Sequence, residues 1–92
     1  PVNYWQPRVA EFTGDTVVFN GGKNVRVRVG DTFLVRGAPR EITDPATGNV
    51  IEIVPGRVVG KIEVTKVNPA SAYAVIQDGV AKRGDFLETI KH

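Results

Sequence analysis

Cysteine is absent from this 92-residue chain, and so is methionine. Without cysteine there are no disulfide staples, thiolate metal sites or cysteine nucleophiles. That leaves the compartment open, because a secreted domain with a sufficient core folds without disulfides. Histidine occurs once, as His92 at the chain end, where no fixed geometry is expected. The zinc constellations built from Cys and His are therefore missing, and a serine triad has no internal base. Leucine is scarce, present only as Leu34 and Leu87. No apolar run approaches the ~20 residues of a membrane-spanning helix, and no signal peptide is visible. The chain starts at Pro1 without an initiator Met, which reads as a trimmed or mature fragment whose targeting signal would lie elsewhere.

What is present points to strands. Valine dominates the apolar residues, and isoleucine follows among the larger aliphatic ones. Both are β-branched, lose side-chain freedom in helices and pack well on a pleated surface. Ten glycines and six prolines supply punctuation for many short strands. The hydrophobic share of 41% and charged share of 24% are ordinary for a folded domain. The length allows one domain, burying a little over ~60% of its unfolded surface.

Alternation and turn residues divide the chain. Residues 1–6, with Tyr4 and Trp5, read as a linker or N-terminal arm, and residues 7–92 as one barrel domain. Strands are expected over Arg8 to Thr13, Thr16 to Asn20, Thr32 to Arg36, Arg40 to Thr43, Val50 to Val54, Arg57 to Val67, Ala72 to Gln77 and Asp85 to Ile90. Val25-Arg26-Val27-Arg28-Val29 alternates perfectly. By period alone it is a half-buried strand with both arginines outward, although a wide turn leading into Gly30-Asp31 competes. Asp44-Pro45-Ala46-Thr47-Gly48-Asn49 is hairpin-loop chemistry, with an Asp to cap backbone, a Pro to preset φ and a Gly for a left-handed exit. Within the longest strand Val58, Gly60, Ile62 and Val64 share a face, and Gly60 marks a bulge or a close backbone approach. The predicted core is Phe19, Phe33, Val35, Ile53, Ile62, Val64 and Ala74 or Val75. Val29-Gly30-Asp31 and Arg83-Gly84-Asp85 echo one another, but two dipeptide matches do not make a repeat.

Chemistry is harder to find. Ser71 follows Pro69-Ala70, where its hydroxyl caps backbone groups. Asp31, Asp44, Asp78 and Asp85 all lie beside Gly or Pro and read as turn residues rather than paired catalytic acids. Asn20-Gly21-Gly22-Lys23 lacks phosphate-loop spacing. No catalytic, cofactor or metal residue is assigned, and no enzyme activity is expected. Arg83-Gly84-Asp85 spells a cell-adhesion tripeptide, which a Gly-Asp turn explains better.

The net charge of +2 is too small to imply a nucleic-acid partner. From Lys23 to Arg40, however, Lys23, Arg26, Arg28, Arg36 and Arg40 stand against Asp31 alone. They form either a solvated strand face or a patch that meets an anionic surface. With Tyr73 as a stacking face, a nucleic-acid-binding small barrel is the alternative function.

The order of motifs resembles a known module. Asn20-Gly21-Gly22 is followed by Val27-Arg28-Val29-Gly30-Asp31-Thr32-Phe33-Leu34-Val35, then Ile42-Thr43-Asp44-Pro45-Ala46-Thr47-Gly48, then Val59-Gly60-Lys61-Ile62-Glu63-Val64, and a closing Gly84-Asp85. Over about residues 16 to 90 this resembles the C-terminal β module of the flagellar H-ring assembly protein, and accessory domains of curli-secretion-like envelope lipoproteins. The most specific piece is the Asp-Pro-x-Thr-Gly hairpin. Those modules often carry a glycine near Arg26, so the loop is expected to be more extended here. The resemblance implies an all-β, small closed or partly open barrel, SH3-like or related, of about six to seven short strands. It implies a non-enzymatic scaffold in a bacterial envelope assembly, periplasmic or outer-membrane-associated, with protein partners that include further copies of the chain, and no cofactor.

Overall fold

A computed structural model describes residues 6–90, so the expectations for Tyr4, Trp5 and His92 lie outside the described residues. The fold is all-β. Its strands are β1 (Val9–Thr13), β2 (Thr16–Asn20), β3 (Thr32–Arg36), β4 (Arg40–Thr43), β5 (Val50–Val54), β6 (Val58–Val67), β7 (Ser71–Gly79) and β8 (Phe86–Thr89). There are thus eight strands among the described residues, six of them in the barrel sheet. None of the described helices is long and apolar enough to cross a membrane.

Six strands form one antiparallel sheet in the order β1-β2-β7-β6-β3-β8. The sheet curls until its outer strands touch. Arg8 bridges Phe86, the Val9 amide donates to Asp85 O at 2.8 Å, and the Leu87 amide donates to Pro7 O at 2.9 Å. This is a partly closed barrel whose two edges cover each other, the standard remedy for unpaired strand edges.

The core follows from alternation. Val17 and Phe19 on β2, Phe33 and Val35 on β3, Ile62 and Val64 on β6, and Ala72 and Ala74 on β7 all point inward and are buried. Phe19 and Phe33 meet edge to face with centroids 5.1 Å apart, a favoured aromatic geometry. The alanines of β7 leave room for those rings in a narrow interior. Gly60 is the close approach its position suggested, since a Cβ there would lie 2.3 Å from Val80 O.

One core assignment and one face assignment are corrected. Ile53 is 59% exposed, because β4 and β5 pair only with each other and leave the barrel. Val58 is 49% exposed. The β3–β6 register shifts between Val35 and Arg36, and that irregularity turns Val58 off the face shared by Gly60, Ile62 and Val64.

The perfect alternation of residues 25–29 is not a strand. Lys23–Val25 forms a 3₁₀ turn. Val25 and Val27 both donate to Gly22 O, and Arg26 donates to Lys23 O. The wide turn wins because Gly22 is pressed against the β6–β7 turn, where a Cβ would lie 1.9 Å from Asn68 O. Val27 is buried and Val29 is 65% exposed, so they do not share a face. Arg26 adopts φ +66, the left-handed region that glycine favours. The turn therefore stays tight without a glycine, contrary to the extended loop expected, and Arg26 and Arg28 are not neighbours on one strand face.

The Gly-Asp echo is a structural repeat. In Arg28-Val29-Gly30-Asp31 and Lys82-Arg83-Gly84-Asp85 the glycines have φ +94 and +91. Each aspartate carboxylate accepts from the first amide of its turn, Arg28 at 2.9 Å and Lys82 at 2.8 Å. Each turn also docks on a neighbouring valine. Gly30 donates to Val64 O and Val64 to Asp31 O; Gly84 donates to Val9 O and Val9 to Asp85 O. The second turn thereby joins the barrel's last strand to its first.

Candidate interaction surface

The β4–β5 hairpin is the feature most exposed to a partner. It projects as an arm whose two strands have no other strand beside them. A lone two-stranded hairpin is marginal in water, so its loop and its root must hold it. At the tip the Ala46 amide donates to Asp44 Oδ1 at 2.8 Å, and the Gly48 amide to Asp44 O at 2.7 Å, with Gly48 at φ +77. The hairpin-loop expectation holds here residue by residue. At the root the Gly37 amide donates to Arg57 O at 2.9 Å. The backbones of Gly37 and Gly56 touch so closely that a Cβ on Gly56 would lie 1.9 Å from Gly37 O.

The arm carries apolar side chains into water. Val50, Ile51 and Ile53 are 47%, 65% and 59% exposed. Glu41 stands opposite Ile53 and Glu52 opposite Ile42, so carboxylates flank the apolar residues. Large exposed apolar side chains rimmed by charge mark interaction sites far more often than neutral surface.

The root is encircled by adjoining clefts. One is lined by Arg36, Gly37, Pro39, Pro55, Gly56 and Phe86. A second includes Arg40, Val54, Pro55 and Arg57, and a third Val59, Val80, Lys82 and Arg83. The latter two enclose about 380 Å³ each. That is the low end of the ~300–1,000 Å³ typical of small-molecule pockets, and suits side chains of a docked partner.

The basic residues singled out in sequence divide between two places. Lys23, Arg26 and Arg28 lie before β3, beside the β6–β7 turn, where the Lys23 amide donates to Asn68 O. Arg36 ends β3 at its far end and Arg40 opens β4. The strand between them spans roughly 3.3 Å per residue, which separates the groups. Arg36 is also a clamp. Its guanidinium pairs with Glu88 and donates from Nη1 to Gly56 O at 3.0 Å, tying the arm's root to β8. Arg57, Lys82 and Arg83 were not singled out in sequence. The start of β6 and the second Gly-Asp turn bring them to the collar around the root, and the Gly-Asp echo was the available signal.

The remaining candidates resolve into structural roles. Asn68 Nδ2 donates to Ser71 Oγ at 3.2 Å. Asp85 is 8% exposed and engaged with the Lys82 amide, so the adhesion tripeptide presents no free carboxylate. Among the described residues, no three His, Cys, Asp or Glu side chains gather as a metal site. Of the half-exposed aromatics Phe12, Tyr73 and Phe86, Tyr73 lies under Lys66 at 5.6 Å and Phe86 under Arg8 at 4.4 Å. No family model matches this sequence, and no curated protein matches it.

Proposed function

We propose that the chain is a non-enzymatic assembly domain that works by protein–protein contact. The exposed apolar arm standing off a pinned root carries this reading. The barrel supplies a rigid platform, and the arm supplies an anchor of the kind found at interface centres, with a charged rim. The motif resemblance is what supports setting this contact in a bacterial cell-envelope assembly, flagellar or secretion-related, in the periplasm or at the outer membrane. The test is fractionation of the full-length native product from cells. The account expects it to sediment with the envelope in a large complex, and Ile51→Ser with Ile53→Ser to release it while thermal unfolding of the purified domain is unchanged. Recovery as a free cytosolic protein would overturn this function.

One observation favours a second reading, a nucleic-acid-binding barrel: Arg36, Arg40, Arg57, Lys82 and Arg83 converge on one collar. Such a binder loses affinity steeply as salt rises. Its aromatics would have to stack on bases, and of the half-exposed aromatics Tyr73 and Phe86 are already covered by cations, which leaves Phe12 on β1, away from the collar's strands. Titration with random single-stranded DNA separates the two readings. The assembly reading expects negligible binding at physiological salt.

A further inference from the structure

The arm and the collar at its root complement each other in charge and in polarity. From Glu41 to Val54 the chain carries Glu41, Asp44 and Glu52 and no lysine or arginine. The collar clefts are lined by Arg57, Lys82 and Arg83, by Arg40, which opens the arm's own first strand, and by Arg36, which Glu88 already pairs, with Asp85 as the one acid among the lining residues. The Asp85 carboxylate is engaged by the Lys82 amide. The cleft floors are apolar, through Pro39, Pro55 and Val80, and Val80 is 55% exposed. We infer that the occupant of this collar is the arm of a second copy of the chain, with Ile51 and Ile53 on the apolar floor and Glu41 and Glu52 against the arginines. This inference rests on the reading of the arm as a protein-contact element, and adds its partner.

Charge decides which part of the second copy is met. Arm against arm would bring together two acidic surfaces, each carrying Glu41, Asp44 and Glu52, and like charges facing across an interface are costly. Arm against collar sets them beside cations. Such a contact is head to tail. Each docked pair keeps one arm and one collar free, so the assembly grows as a ring or an open filament.

The experiment is sedimentation of the purified chain at about 0.02 M and about 0.5 M salt, since charge-guided contacts are screened at the higher value. Concentration-dependent association is expected at low salt, weakening at least about tenfold at high salt. Two charge-reversed proteins follow: Glu41→Lys with Glu52→Lys on the arm, and Arg57→Glu with Lys82→Glu on the collar. Each alone should be monomeric. Mixed in equal amounts they should pair, because the reversed arm then fits the reversed collar. Ile51→Ser with Ile53→Ser should also be monomeric, and keeps the test decisive should a charge reversal fail to fold. A wild-type chain that stays monomeric at low salt, variants that associate like wild type, or a mixture that does not pair overturns the inference. If the purified chain is monomeric while the serine variant is still lost from the envelope complex, self-docking fails and the assembly function stands.

Discussion

Two isoleucines show how far residue identity is from residue role. Ile62 and Ile53 both sit in valine-rich alternating runs, yet Ile62 is fully buried and Ile53 is 59% exposed. Ile62→Ala removes packed methyl groups from a thin core and should cost ~2–5 kcal/mol. Ile53→Ala should change stability by under ~0.5 kcal/mol, as exposed substitutions away from special features do. Chemical denaturation of the two variants measures the contrast, and equal costs would mean that the arm packs on the barrel. Arg26 offers the opposite test. Its φ of +66 is a conformation in which a Cβ meets the following carbonyl. Arg26→Gly should therefore raise the free energy of unfolding by up to about 1 kcal/mol, read as a higher denaturation midpoint. A loss would show that the arginine side chain, not the turn, is what matters at that position.

At the scale of elements, strands were legible where two faces differ and turns have a chemical signature. Thr16–Asn20, Thr32–Arg36, Arg40–Thr43 and Val50–Val54 fall where alternation and flanking Gly, Pro and Asp place them. The failures have physical reasons. Residues 25–29 alternate as a strand does, but Gly22 against Asn68 O fixes the chain's entry and forces a turn. That approach is made by residues 46 positions apart in sequence, beyond any local pattern. The destination of the arm was equally hidden. Val50-Ile51-Glu52-Ile53 reads the same whether its apolar residues meet a core or water, because periodicity reports faces and not what covers them. The charge cluster misled for a related reason. Neighbours in sequence from Lys23 to Arg40 are split by β3, while Arg57 arrives just before β6 and Lys82 and Arg83 from the turn before β8. The repeated Gly-Asp turn invites its own test. Each carboxylate holds an amide of its own turn, and hydrogen bonds to charged groups contribute about 1.5–3 kcal/mol. Asp85→Ala should cost near the top of that range, because its turn also joins β8 to β1, and Asp31→Ala, in a more exposed turn, less. The reverse order in denaturation midpoints would mean that barrel closure does not depend on the second turn.

For the whole molecule the account divides labour between a barrel that is stable by itself and an arm that is available to a partner. The barrel closes its own edges through Arg8 and Phe86. The arm's two strands pair only with each other and leave their outer edges and apolar side chains uncovered, at the cost of exposure that a solitary domain has no reason to keep. Local protection separates these roles, because amides exchange according to the stability of the segment that holds them. The most direct measurement is amide hydrogen exchange on the domain, alone and within its sedimenting assembly, followed segment by segment. The account predicts that residues 40–54 exchange fast in the isolated domain and become protected on assembly, while β2, β3, β6 and β7 are protected equally in both. Protection that appears instead over Lys23 to Arg28, with the arm still exchanging freely in the assembly, would contradict it.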